Sequence, residues 1–189
     1  MRKPLLGEKA AVLAANGFCE TDLTEVQRLL QSLGATLRIV GMDHGLISSW
    51  KGDDWGLNFA ADKVLKEALA SDFSMLVIPG GQKSAEKLAL TAHTGRFIKG
   101  FLDLRKPVIA FGESVGLLTV SGCSFEGVSL AGSESLKDRM EEAGAVWSQA
   151  PYIVHENIMT AGAMTIADGD QAAAVTGFLT SHYSLVAAA

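Results

Sequence analysis

A chain of 189 residues, 48% hydrophobic and 20% charged, has the length of one domain and enough apolar material for a sizeable core, which excludes an intrinsically disordered chain. Its formal net charge of −5 accompanies no large basic block, so nucleic acid is not the expected partner. No apolar run approaches the roughly 18 residues of a membrane span, and the stretch from Met1 to Lys9 lacks the apolar core of a signal peptide. The two cysteines, Cys19 and Cys123, show no metal-ligand spacing. A cytoplasmic protein without metal or cofactor is expected.

In chain order, residues 9–15 read as a first strand and residues 16–20 as the loop at its carboxyl end. A helix follows, with Leu23, Val26, Leu29, Leu30 and Leu33 on one face and Gly34 as its terminator. Residues 36–40 form the second strand, and residues 42–59, rich in glycine and containing Trp50 and Trp55, a small hairpin or excursion. Residues 62–69 predict a short helix capped by Asp62 and bearing Val64, Leu65, Ala68 and Leu69. Residues 73–78 are a core strand ended by Pro79, Gly80 and Gly81. Helices are expected over 84–90 and 94–104, with a break near His93 and Gly95.

Residues 108–111 are an unbroken apolar run, as in a parallel strand covered on both faces. Gly112, Ser114 and Gly116 then let the chain turn sharply into a helix that carries Val115, Leu117 and Leu118 and runs to about Ser121. A strand follows over 128–130, and a helix over 133–143 capped by Ser133 or Ser135. Two strands, 152–154 and 158–161, are joined at His155, Glu156 and Asn157. A last helix begins near Asp168 and carries Val175, Phe178, Leu179 and Leu185. Alternating strands and helices predict a flavodoxin-like α/β sandwich over residues 1–189, with a mostly parallel sheet and a site at the carboxyl ends of the strands.

The sharp corner after residue 111 is where α/β enzymes hold a nucleophile, often at positive φ. Gly112 fits that backbone and has no side chain to react. The helix amides beyond it would favour a small anionic ligand, unless Glu113 folds back onto them.

The chain resembles the ThiJ/PfpI superfamily, the glutamine-amidotransferase-like group that includes the Parkinsonism-associated deglycase and intracellular proteases or amidases. Four blocks carry the resemblance: residues 9–23, 73–81, 106–118 and 144–162. The family's elbow reads Lys-Pro-Val-Ala-Ala-Ile-Cys-His-Gly-Pro, and ungapped alignment puts its cysteine at Gly112 and the next two residues at Glu113 and Ser114. The acid that meets the thiolate falls on Asp22, a histidine of some members near Ser133, and the oxyanion donors at Gly81 and just after Gly112. The resemblance implies a homodimer with the usual thiol chemistry absent, as in the similar domain of large-subunit catalases.

The expected ligand-binding residues are therefore Gly80, Gly81, Gly112, Glu113 and Ser114, and the protein reads as a small-molecule-binding or stress-associated module. No catalytic residue is assigned, but four candidates stand. Gly112 to Gly116 also matches the Gly-x-Ser-x-Gly elbow of hydrolases, which would make Ser114 a nucleophile with His155, or with Asp168 or Asp170 and His182, as partners; otherwise Ser114 caps the helix. Cys19, on the same rim, is either a redox-sensitive thiol or a passive one. Asp22 is either the family acid or a first-turn residue facing the helix dipole, and Glu113 is a single carboxylate beside the corner. Cys123 reads as a packing residue. His44, His93, His155 and His182 show no pairing that suggests a metal. Trp50, Trp55 and Trp147 line a pocket or a dimer contact, or are simply buried.

Overall fold

Alternate residues of the central strands serve two separate cores, and this is what fixes the three-layer architecture. The structure is a computed structural model that describes residues 3–163 and 169–187. In chain order its elements are β1 (Lys9–Leu13), β2 (Phe18–Cys19), α1 (Glu20–Leu33), β3 (Thr36–Gly41), β4 (Leu46–Trp50), β5 (Trp55–Ala60), β6 (Lys63–Val64), β7 (Met75–Ile78), α2 (Gln82–Ala89), α3 (Ala92–Asp103) and β8 (Val108–Phe111). A 3₁₀ helix (Gly112–Ser121) leads to β9 (Ser129–Leu130), α4 (Lys137–Glu142), β10 (Val146–Trp147), β11 (Tyr152–His155), β12 (Ile158–Ala161) and α5 (Gly169–Ala187). Asp168, the expected start of the last helix, lies outside the described residues, as does the side chain of Leu185.

Seven strands form the main sheet in the order β11-β12-β8-β7-β1-β3-β6. All its pairings are parallel except that of β11 with β12. On one face Ala11, Leu13, Leu76, Ile78, Val108 and Ala110 pack with Phe97, Ile98 and Phe101 of α3. On the other, Ala10, Val12, Met75, Val77, Ile109 and Phe111 meet Val26 and Leu30 of α1 and Val175 and Leu179 of α5. The pleat sends successive side chains to opposite faces, so strands apolar throughout are the expected pattern. Phe97 and Phe101 meet edge to face, with ring centroids 5.1 Å apart. Truncating either to alanine would cost about 3–5 kcal/mol.

Here two expected elements differ and one strand is unexpected. Residues 62–69 form no helix: Lys63 and Val64 add a short strand beside β3, and the Asp62 carboxylate accepts the Ile39 amide at 2.7 Å instead of capping a helix. A single turn already buries Val64, Leu65 and Ala68. The carbonyls of Leu65, Lys66 and Ala68 all accept from the Arg96 guanidinium. The segment beyond Ser133 opens as a 3₁₀ turn, and α4 begins only at Lys137; the hydroxyls of Ser133 and Ser135 bond each other at 3.0 Å rather than capping it. Residues 146–147, unassigned in the sequence, pair with β9.

The excursion at residues 42–59 is an antiparallel hairpin of β4 and β5. Its β4 strand pairs with β2, setting Cys19 opposite Trp50. The hairpin is thereby carried over the carboxyl edge of the sheet.

Candidate functional site

The elbow begins with β8, whose four residues are all buried. Its successor Gly112 sits at φ +52°, the left-handed region that a residue with a Cβ enters only at a cost of about 1–3 kcal/mol. A Cβ built at Gly112 would meet only the Gly80 Cα, at 3.7 Å. The corner thus has the backbone of a nucleophile elbow, with room above it and no side chain on it.

Beyond the corner the chain winds as a 3₁₀ helix to Ser121 rather than as an α-helix. The hydroxyls of Thr119 and Ser121 each donate to the carbonyl three residues back, which suits the tighter winding. Gly116 lets Leu136 and Arg139 lie directly on this helix.

Ser114 lies inside that helix and not at the apex. It is fully buried, and its Oγ donates to the Pro79 carbonyl at 2.6 Å. This bond ties the elbow helix to the turn after β7. A hydroxyl so placed has neither access to solvent nor a base to take its proton. Nor do the expected histidines come near. His155 pairs with Ile158, which pairs with Val108, at the end of the sheet opposite the elbow; its Nδ1 accepts the Ser129 amide. His182, whose pKa burial lowers, adjoins Tyr183, which bonds the carbonyl of Ser74 before β7, again at the far end.

Gly80 and Gly81 form the facing wall. The Gly80 amide donates to Asp22 Oδ2 at 2.8 Å, and Asp22 is completely buried. Asp22 therefore helps to position the Pro79–Gly81 turn from the first turn of α1. Gly81, at φ +110°, passes so close to the chain after β1 that a Cβ would lie 2.5 Å from the Gly17 carbonyl oxygen. Its amide, the expected oxyanion donor, gives its hydrogen to Glu113 Oε2 at 3.1 Å. That donor is thus engaged by the residue after the corner, Glu113.

Cys19 immediately precedes α1, and its amide donates to the Gly80 carbonyl at 2.8 Å. Burial, and next the Asp22 carboxylate, push its thiol up to about 11. A thiol held neutral at physiological pH is a poor nucleophile and a slow target for oxidants. Cys123 lies elsewhere, partly buried against the core on the α3 side.

Cys19, Asp22, Gly80, Gly81, Gly112 and Glu113 border one cleft of about 510 Å³, lined also by Trp50, Gly52, Gln82, Gly132, Ser133, Gly162 and Ala163; Ser114, expected among the ligand-binding residues, is buried behind it and is not part of the lining. Its charged lining residues are Asp22 and Glu113, both carboxylates. Ser133 stands where the resemblance would put a histidine. Of the roles the sequence leaves open to Trp50 (pocket lining, dimer contact or plain burial), the structure puts it in the cleft lining, where it meets Trp55 edge to face with centroids 5.2 Å apart. Lys83 lies 4.5 Å over the Trp50 ring.

The hairpin that delivers Trp50 is clamped by Glu20. That carboxylate accepts from the Ser49 hydroxyl and, at 2.7 Å, from the Leu57 amide, and lies 3.2 Å from Lys51 Nζ. Burial raises its pKa, but these partners outweigh burial and hold it below the usual carboxylate value. Sequence reasoning missed this clamp, along with Gln82 and Gly52.

Among the described residues no group of three or more His, Cys, Asp and Glu side chains is gathered closely enough to hold a metal ion. No helix among them is long and apolar enough to cross a membrane.

Comparison with known proteins agrees with the fold. The model of the DJ-1/PfpI family matches residues 8–168. General stress protein 18 of Bacillus subtilis (strain 168) is 29% identical over 140 residues, covering 74% of this chain and 79% of its own. A second B. subtilis protein, named "Putative cysteine protease YraA", is 28% identical over 155 residues, covering 82% and 89%. Among solved structures, a ThiJ/PfpI domain protein from Brachyspira murdochii superposes with a TM-score of 0.80 at 22% identity, covering 93% of this chain and 98% of its own.

Proposed function

Because the chain belongs to the DJ-1/PfpI family, we propose that it is a variant of that fold whose elbow serves reversible, non-covalent binding of a small polar ligand instead of thiol chemistry. The observation that carries this reading is Gly112 at the apex, at φ +52° with open space above it. A cleft of about 510 Å³ is within the range of small-molecule sites. The two candidates for covalent chemistry are poorly equipped for it. Ser114 is buried and bonded to Pro79, and Cys19 is kept protonated by burial and Asp22.

The ligand is uncharged or cationic. Asp22 and Glu113 supply the charge of the lining, and an anion would meet repulsion where the Gly81 amide is already engaged. The likeness to General stress protein 18 supports a stress-associated role, and membership of the family supports a homodimer, which sedimentation would test.

A panel of neutral, cationic and anionic fragments, followed by ligand-observed NMR, tests the reading. Neutral or cationic binders that disappear in Gly112→Val, which fills the space above the corner, are the expected result. Binding confined to anionic fragments, or undiminished in Gly112→Val, would overturn it.

A further inference from the structure

Next to the cleft, and sharing Gln82 and Glu113 with it, a second cavity of about 300 Å³ lies among α2, the elbow helix and α4. Its apolar side chains are Ala85, Ala89, Leu117 and Leu136, of which Ala85 and Leu117 are buried. Three charged side chains, Arg139, Glu113 and Glu86, share this one lining.

The Arg139 guanidinium is held by one nitrogen, Nη2, which donates to the Gly116 carbonyl at 3.2 Å and the Thr119 hydroxyl at 2.7 Å. Among the described residues no carboxylate lies within ion-pair distance of it. A guanidinium carries five donors in a fixed fork suited to a carboxylate. Glu113 and Glu86 each commit one oxygen, to the Gly81 amide and the Gln82 side chain respectively. A carboxylate has two oxygens, so each retains acceptor capacity toward a bound ammonium group.

We infer that this cavity binds a small zwitterion with an apolar side chain, of the α-amino-acid class. The ligand carboxylate lies on Arg139, its ammonium on Glu113 and Glu86, and its side chain on Leu117, Leu136 and Ala85. A dicarboxylate is disfavoured because the lining carries two negative charges against one positive. A purely cationic guest would leave Arg139 unanswered. Glu113 lines both spaces, but Arg139 and Glu86 line only this one, so variants of those two test the inference separately from the cleft.

Calorimetric titration of the whole chain at low ionic strength tests it, with L-leucine as probe and N-acetyl-leucine and leucinamide as versions lacking one charge. Saturable one-to-one binding of L-leucine is expected, weaker by about tenfold or more for either derivative, as fits loss of a charged hydrogen bond. Arg139→Gln should weaken L-leucine by a similar factor and leave leucinamide unchanged. Glu86→Gln, at an exposed position, should weaken L-leucine while leaving N-acetyl-leucine unchanged. If Arg139→Gln does not fold, Arg139→Lys, which keeps the charge and loses the fork, should give an intermediate affinity. Absence of saturable L-leucine binding, or equal loss of all three ligands in the Arg139 variants, would overturn the inference.

Discussion

The Glu113 carboxylate accepts the amide hydrogen of Gly81 at 3.1 Å, so an internal anion occupies the donor that faces the elbow. The fold keeps the polarised backbone of a reactive corner and answers it with its own side chain. Glu113→Ala should release that donor. Sulfate or inorganic phosphate should then raise the melting temperature of the variant more than that of the parent chain. Equal shifts in both proteins would show that the Gly81 amide is not what Glu113 screens.

The two glycines of the site should differ in what they tolerate. Gly112→Ala meets no close neighbour and carries only the conformational penalty of its positive φ, about 1–3 kcal/mol. Gly81→Ala adds a collision with the Gly17 carbonyl to a positive φ and should cost more. Urea unfolding of both variants checks the order, and a smaller loss at Gly81 would contradict the packing described.

Much of this was readable in the chain. The run from Val108 to Phe111 followed by Gly112, Ser114 and Gly116 announces a buried strand and a tight corner, and the structure has both. The helix over residues 20–33 and its Gly34 terminator follow from apolar periodicity and the left-handed cap at φ 99°. Other features depend on distant partners that no local pattern encodes. Trp50 reaches the cleft only because β4 pairs with β2, and Glu20 clamps the hairpin through Ser49, Leu57 and Lys51. The apolar spacing of residues 62–69 looks helical, yet Arg96 takes up the carbonyls from another helix. Side-chain choices such as Glu113 folding back onto Gly81 are decided by tertiary geometry.

The Glu20 clamp should make the hairpin sensitive to acid. Its folded pKa lies below the ordinary value of 4.5, so the folded state favours the ionised form. The stabilisation is present above about pH 4.5 and is lost as pH falls through the lowered folded value. The near-ultraviolet dichroism of the Trp50–Trp55 pair should fade over that acidic interval. Glu20→Gln should remove this pH dependence, and a variant that keeps it would point to another group.

Cys19 should react slowly at neutral pH. With its thiol pushed up to about 11 by burial and then by Asp22, alkylation by iodoacetamide should accelerate steadily from pH 8 toward that value. Asp22→Asn removes the second cause and should shift the rate profile to lower pH. Rapid labelling of Cys19 at pH 7 in the parent chain would contradict the assigned environment.

Ser114→Ala should lower stability by about 1–3 kcal/mol, since the Pro79 carbonyl loses a buried donor. Small-ligand binding in the cleft should survive within the range where the variant is folded. Loss of binding without loss of stability would mean that the hydroxyl contacts the ligand.

The most direct measurement is intact-mass spectrometry with peptide mapping after exposure to a fluorophosphonate and, separately, to an activated acyl ester at neutral pH. The chain should stay unmodified at Cys19, Glu113 and Ser114. A stoichiometric adduct on any of the three would restore covalent chemistry to this corner and contradict the non-covalent reading.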